Sequence, residues 1–451
     1  MNWNIFRAYD VRGIYPSDMD ENDIREIAKG YVAVVKPKCV AVGMDVRLSS
    51  PALKAALIES LLNCGVDVID LGEITTDMLY FAVGFYGYDG GIVVSASHNP
   101  REYNGLKMVR EGAKAISSDT GLFAIRDIIK AGPIQRNGGG MAGQCQNKAI
   151  LGDYVSHILT FIDAEKINAF KVVANANFGY VGAPIKEIRD RLRIDLTPLN
   201  FEPDGSFPKG TPDPTQPENR LETEQLVLSS RADLGAIWDS DADRVVFVDE
   251  RGRSIPGAYT GALLAKIMLH RHGPSNRILC DPRVTWPMLR VIREMHGDLL
   301  ITKAGHAFFK DVMRGQDALF GAELSGHYYF RDNFCTDNGV IPFLILLEYS
   351  STQKMKISEL FDPFFENHFM SGELNYKADE PQSVMSRIIS HFRNRGHEDF
   401  TDGYSVETED WRFNVRSSNT EPLLRVNIEA RAREVVDGVR AEIESLINYY
   451  S

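Results

Sequence analysis

Gly91-Ile92-Val93-Val94-Ser95-Ala96-Ser97-His98-Asn99-Pro100 is the stretch on which the fold is read: an apolar run that stops at a serine flanked by a histidine and an asparagine. An apolar run of this length bounded by turn residues reads as a buried strand. Pro100 ends it, because proline cannot donate to a ladder. Small neighbours leave the Ser97 hydroxyl open at the carboxyl end of the strand, the edge where open α/β sheets bind ligands. Taken by itself the same stretch also reads as an ordinary polar turn.

Outward from that strand, extended and helical patterns alternate. Val40-Ala41-Val42-Gly43, a helical pattern over 52–62, Val66-Asp67-Val68-Ile69 and a second helical pattern over 78–85 lead up to it. Such alternation predicts βαβ units and a largely parallel sheet. After the glycine-rich 137–143 the pattern restarts with Lys171-Val172-Val173-Ala174 and a helix over 185–192, followed by a proline-rich loop over 203–217. Two strands, 234–238 and 245–248, then enclose an acidic turn. A third cycle runs from a helix over 262–269 through strands at 278–280 and 299–301. The last part, with a helix over 384–392, strands at 411–415 and 424–428 and a helix over 435–447, has an α+β order. The predicted fold is therefore three similar mixed α/β domains plus a C-terminal α+β domain, with limits 1–150, 151–252, 253–368 and 369–451.

The chain has 451 residues, with 50 Lys and Arg against 62 Asp and Glu, a formal net charge of −12. That balance argues against a surface made for nucleic acid or an acidic membrane, so an anionic ligand has to be met by local basic clusters. The first residues lack a basic stretch before an apolar core, and no apolar segment is long enough to span a bilayer. The five cysteines lack CxxC spacing, which predicts neither a zinc site nor a disulfide framework. Free thiols in a cytoplasmic protein are the expectation.

Asp239-Ser240-Asp241-Ala242-Asp243-Arg244 places carboxylates at alternate positions between two apolar strands, where one tight turn can aim all three at a hard cation. Asp239, Asp241, Asp243 and Glu250 also occupy the first, third, fifth and twelfth places of an EF-hand loop. That reading fails, because Arg244 stands where a glycine is required and Val245 to Val248 reads as a strand. Arg416-Ser417-Ser418-Asn419-Thr420-Glu421-Pro422 holds the parts of a phosphate cradle, or of a polar hairpin loop. Glu323-Leu324-Ser325-Gly326-His327 offers a carboxylate and a hydroxyl suited to vicinal sugar hydroxyls, or reads as a satisfied buried turn. Lys303-Ala304-Gly305-His306 opens a helical segment whose N–H groups and nearby His favour an anion or a sugar oxygen, although a lone His there also reads as structural. Arg7, Tyr9, Asp10, Arg12 and Gly13 form a charged cluster near the chain start.

Taken together and in order, these motifs resemble the α-D-phosphohexomutase family, especially its bacterial phosphomannomutase/phosphoglucomutase group, over essentially the whole chain. Residues 95–100 are similar to the family's phosphoserine loop, 239–244 to its magnesium loop, 323–327 to its sugar-binding loop and 416–422 to its phosphate-binding loop. Residues 6–13 resemble its N-terminal motif.

The resemblance implies four domains around a central cleft, a phosphoryl group on Ser97, and Mg²⁺ held by Asp239, Asp241, Asp243 and a phosphoryl oxygen on Ser97. It implies interconversion of hexose 1-phosphate and 6-phosphate, of mannose or glucose, through a bound hexose 1,6-bisphosphate. Lys107, Arg12, His98 and His306 are the catalytic candidates. Tyr9, Arg283, Gly305, Glu323, Ser325, His327, Arg416, Ser418, Asn419, Thr420 and Arg425 are those for substrate. Expected partners are small sugar phosphates, without nucleic acid or membrane, in a monomer or weak homodimer. Asn419 favours mannose or glucose over glucosamine phosphate; a phosphoglucosamine mutase and a non-catalytic sugar-phosphate-binding relative are the alternatives. Three departures from the family pattern stand out. Arg283 replaces a usual Lys, Ser240 and Ala242 replace the usual glycines of the metal loop, and Asn175-Ala176-Asn177-Phe178-Gly179 departs from Asp-x-Gly-Asn-Gly. The metal loop is expected to change in stiffness and to keep its ion.

Overall fold

A computed structural model describes residues 1–132, 141–378, 380–417 and 423–447. The chain forms two compact units, Met1–Ile255 with Ser325–Ile357, and Pro256–Leu324 with Ser358–Ser451.

In the first unit the fully buried strand Gly90–Val94 sits inside a seven-stranded sheet. The strand Cys39–Met44 lies parallel beside it, followed by Asp67–Glu73 and Cys145–Asn147, also parallel. On the other side Tyr103–Arg110 and then Val11–Ile14 pair antiparallel. The sheet is therefore mixed where a largely parallel one was expected. Only eight residues, 95–102, separate this strand from the return strand, too few for the crossover that parallel pairing requires. The helix Glu21–Val35 is started by a capping box between Asp20 and Asp23. Thr76–Tyr86 ends at Gly87 in the left-handed conformation. Ile24, Ile27, Leu53, Leu57, Val40, Val42, Ile92 and Val94 share one apolar core.

A second sheet of this unit orders Ser254–Ile255, Val245–Asp249, Leu234–Trp238, Phe170–Asn175 and Ile194–Leu199. The expected acidic hairpin is present: Trp238 pairs with Val245, leaving residues 239–244 as its loop. The helix Pro217–Ser230 was not foreseen, because its Leu221 and Leu228 are exposed and no continuous apolar stripe marks it. The helix Val340–Gln353 is buried along most of its length. Glu348 and Ser351 on it accept the backbone N–H groups of Asp163 and Asn168.

In the second unit Asp298–Ile301, Arg277–Cys280 and Phe320–Ala322 are parallel neighbours. An antiparallel sheet runs through Leu423–Ala430, Trp411–Ser417, Tyr404–Glu407 and His397–Asp399. The helices Pro381–Phe392 and Arg433–Ile447 share its apolar core through Ile388, Phe392, Val436 and Ile443. This is the α+β part expected at the C-terminus. No helix among the described residues is long and apolar enough to cross a membrane.

Candidate active site

Ser97 leaves the carboxyl end of Gly90–Val94 in a left-handed conformation, φ 48°, which a serine adopts at some cost. Hydrogen bonds enforce it. Ser95 Oγ accepts the Ser97 N–H at 3.0 Å, and the Ser97 carbonyl accepts from Arg47 Nη2 at 2.6 Å and from Ser240 Oγ at 2.8 Å. Arg47 is wholly buried and also donates to the carbonyls of Asn99, Pro100 and Tyr103, while pairing with Asp45 at 3.2 Å. Its planar fork reaches four carbonyls at once, which a lysine cannot do. Nothing local in the sequence marks this role.

The Ser97 hydroxyl is itself buried. It donates to Asp239 Oδ2 at 3.0 Å, lies 3.2 Å from His98 Nδ1 and accepts from Arg244 Nη2 at 3.3 Å. Arg244 Nη2 also meets His98 Nδ1 and its Nε reaches Asp239 Oδ2 at 2.9 Å. The antiparallel register sets Lys107 opposite Val93, which delivers its ammonium to Asp241 Oδ2 at 2.6 Å and Asp243 Oδ2 at 2.5 Å. Burial opposes the Lys107 charge, but the two carboxylates outweigh it and hold the group well above its usual range. Asp239 is pushed well up, by burial first and then by repulsion from Asp243 and Asp241. Asp243 is held well below the ordinary range: burial would raise it, and Lys107 and His327 overcome that.

Asp239, Asp241 and Asp243 are fully buried and offer ligand atoms that all lie within 4.8 Å of one another. Asp241 Oδ1 is buried without a hydrogen-bond partner among the described residues. Three hard oxygen donors with unused acceptor capacity suit Mg²⁺, which keeps other places for water or phosphate. The departures in this loop acquire a physical meaning. Ser240 ties the metal loop to the Ser97 loop, whereas Ala242 sits at φ 57°, where glycine would be unstrained. Asn177, in the segment that departs from the family run, donates to the Trp238 carbonyl at 2.7 Å. Gly179 packs so close to Ser240 that a Cβ would stand 2.3 Å from its carbonyl oxygen.

The same unit holds Arg12, Tyr9, Ser325 and His327. Arg12 donates to Asn99 Oδ1 and to Asp10. Tyr9 is half-buried in the turn closed by Arg7 N–H and the Asp10 carbonyl. Ser325 Oγ lies 3.0 Å from His327 Nδ1, and His327 Nε2 lies 3.4 Å from Asp243 Oδ1. A buried network of Thr75, Asp77, Tyr154 and Asn338, invisible in the sequence, underpins Thr76, which donates to Asp241 Oδ2 at 2.6 Å.

The sugar motif divides, with Glu323 in the second unit. There Glu323 Oε2 accepts the Gly305 N–H at 3.0 Å and meets Arg283 Nη2 at 3.3 Å. Arg283 is gripped by Asp281 through Nε at 3.0 Å and Nη2 at 2.7 Å. Burial would raise the Asp281 carboxyl, but Arg283 keeps it below its ordinary value. His306 starts the helix His306–Gln316, its Nδ1 3.3 Å from Lys310 Nζ. Arg416 and Arg425 face each other across two strands and both reach Glu373, a residue that no motif singled out. Ser418, Asn419 and Thr420 lie outside the described residues.

Models of the phosphoglucomutase/phosphomannomutase family match in chain order: alpha/beta/alpha domain I at residues 4–135, domain II at 152–252, domain III at 256–368 and the C-terminal domain at 373–446. The chain belongs to the phosphoglucomutase/phosphomannomutase family. As a member it is a phosphohexomutase, of a Mg²⁺-dependent family with four domains, as the motifs led us to expect. A phosphomannomutase of Salmonella typhimurium is 41% identical over 94% of both chains, and a protein of Xanthomonas campestris pv. campestris described as phosphohexose mutases is 39% identical over 98% of both. The X-ray structure of a phosphoglucomutase/phosphomannomutase family protein from Burkholderia thailandensis matches with a TM-score of 0.89 at 28% identity, over 100% of this chain and 98% of that one.

Proposed function

We propose that this phosphohexomutase interconverts the 1- and 6-phosphates of mannose and of glucose, with Ser97 Oγ as the phosphoryl carrier and a hexose 1,6-bisphosphate as the intermediate. The observation that carries this reading is the buried Ser97 hydroxyl, 3.0 Å from Asp239 in a cluster of three carboxylates. Phosphoryl transfer is catalysed mainly by position and charge, and this loop is fixed by Arg47, Ser95 and Ser240.

In the first step the P–Oγ bond at Ser97 breaks and a bond from phosphorus to the free sugar hydroxyl forms. The hydroxyl proton passes by way of His98 or His306 to the Ser97 Oγ that the phosphoryl group has left, while Lys107 and Arg12, already cationic, stabilise the charge on the oxygens. In the second step the other P–O bond of the bisphosphate breaks, its phosphoryl group forms the bond to Ser97 Oγ, and the proton that Oγ gives up goes to the oxygen left on the sugar. Asp239, Asp241 and Asp243 would hold Mg²⁺, which when bound neutralises phosphoryl charge and orients the in-line displacement. Arg244 donates to the oxygen that is phosphorylated. Arg283, Arg416 and Arg425, with Ser418, Asn419 and Thr420, take the phosphate that does not react. Tyr9, Gly305, Glu323, Ser325 and His327 take sugar oxygens. Because substrate and product present opposite ends, the cradle is fixed and the reacting ends exchange.

The domain limits we propose are 1–150, 151–252, 253–368 and 369–451, and each family match falls inside one of them. A cytoplasmic monomer or weak homodimer, with ligands that are sugar phosphates and neither nucleic acid nor membrane, agrees with five cysteines outside any disulfide and a net charge of −12. Phosphorus NMR with Mg²⁺ and a trace of glucose 1,6-bisphosphate tests the reaction, with mannose 1-phosphate, glucose 1-phosphate and glucosamine 1-phosphate in separate tubes. Conversion of the first two supports the reading; conversion of the third alone replaces it.

A further inference from the structure

Arg416 and Arg425 are directly opposed in the antiparallel pair of Trp411–Ser417 with Leu423–Ala430. Like charges at facing positions repel and destabilise a sheet. Glu373, one residue before the strand Leu374–Lys377, answers both, with Oε2 3.3 Å from Arg416 Nη2 and Oε1 3.4 Å from Arg425 Nη1. The same Oε2 lies 3.9 Å from Arg283 Nη1. Arg283 is fixed on its other edge by Asp281 and meets Glu323. Charges therefore alternate without a break, from Glu323 through Arg283 and Glu373 to Arg416 and Arg425. Among the described residues the Nε atoms of Arg416 and Arg425 are buried without a hydrogen-bond partner, so Glu373 engages only part of each fork.

We propose that Glu373 is the positioning residue of the phosphate cradle, a carboxylate that holds Arg416 and Arg425 together against their mutual repulsion and ties them to Arg283. This deepens the functional reading above and rests on it, since it takes those arginines as phosphate ligands. The carboxylate acts through the guanidiniums and takes no part in bond making. Its effect therefore belongs to phosphate affinity, and turnover of bound substrate depends on it less.

The test compares Glu373→Gln, Glu373→Asp and Arg416→Gln with the unaltered enzyme. It uses inorganic phosphate as a competitive inhibitor and hexose 1-phosphate as substrate. Glu373→Gln is expected to raise both the phosphate inhibition constant and KM by about tenfold, with kcat lowered less than about threefold. Glu373→Asp keeps the charge and is expected to recover part of the phosphate affinity. Thermal midpoints of both variants stay close to that of the parent. Two results overturn the proposal: an inhibition constant that is unchanged or lower in Glu373→Gln, or a loss of kcat and midpoint together at constant phosphate affinity. If Arg416→Gln also leaves phosphate affinity unchanged, the assignment of the arginines to phosphate fails, and the role of Glu373 falls with it. If Arg416→Gln weakens phosphate and Glu373→Gln does not, only the role of Glu373 falls.

Discussion

Lys107 and Arg283 are both buried cations held by carboxylates, two for Lys107 and three for Arg283, yet they are built on opposite plans. Lys107 meets Asp241 and Asp243, which come from a hairpin loop more than 130 residues away in sequence and also form the candidate metal site. Arg283 meets Asp281 two residues away in a two-point grip, with Glu323 at its edge. In the first cluster Asp241 Oδ1 and Asp243 Oδ1 have no hydrogen-bond partner among the described residues, which leaves acceptor capacity suited to a divalent ion. The second closes its forks locally and is made to stay put. A point ammonium suits the shared cluster and a planar guanidinium the fixed one. That is a physical reason for Arg283 to stand where the family usually has lysine.

The sharpest way to break this contrast is to delete each cation. Lys107→Ala and Arg283→Ala each leave buried carboxylates uncompensated and are expected to cost about 3–5 kcal/mol of unfolding free energy. Saturating Mg²⁺ should restore part of the loss in Lys107→Ala and none in Arg283→Ala, read by denaturant unfolding with and without the ion. Equal rescue of both, or of neither, removes the distinction.

Glu429 sharpens the contrast from the carboxylate side. It accepts the N–H groups of Thr285 and Trp286 at 2.8 and 3.0 Å, at the start of the helix Trp286–Met295 that follows Arg283. Burial pushes its carboxyl up to about 7 from an ordinary 4.5, with Arg412 pulling the other way. A carboxyl raised on folding stabilises fully below its unfolded pKa, and that contribution is lost as pH rises through the folded value. Unfolding free energy should therefore fall between about pH 4.5 and 7 by up to about 3 kcal/mol through this group. Glu429→Gln should be flatter than the parent over that window; a parallel pair of pH profiles contradicts the assignment.

Arg47 is a third kind of buried cation, one spent mainly on carbonyls. Arg47→Lys keeps the charge but loses the fork, and misplacement of the Ser97 loop is expected to lower kcat by about 10²-fold. Mg²⁺ affinity should change little, which titration calorimetry checks. The smallest effect is expected at Ala242. Ala242→Gly relieves a left-handed alanine while loosening the unfolded chain, so unfolding free energy should move by less than about 1 kcal/mol. A larger loss would show that Ala242 packing, more than backbone conformation, sets the stiffness of the metal loop.

What the sequence disclosed follows from range. Asp239, Asp241 and Asp243 were legible because one hairpin loop between two apolar strands carries all three. Ser97 was legible because a single buried strand delivers it. Arg47 was not, since its carbonyl partners lie some fifty residues further on and backbone acceptors leave no trace in residue type. Glu373 stayed hidden because its meaning depends on the register that sets Arg416 against Arg425. The strand Tyr103–Arg110 and its antiparallel pairing were not read from the sequence, as an apolar run such as 91–94 does not declare which way its neighbour points. The division of the motif 323–327, with Glu323 in one compact unit and Ser325 and His327 in the other, is likewise a property of the folded chain.

The most direct test of the account is phosphopeptide mapping of the purified enzyme by mass spectrometry after exposure to hexose 1,6-bisphosphate and Mg²⁺. One phosphoryl group on Ser97, discharged by added hexose 1-phosphate and absent from an inactive Ser97→Ala variant, is the predicted result. Phosphate on another residue, or a Ser97→Ala variant that keeps near-parental turnover, would contradict Ser97 as the carrier.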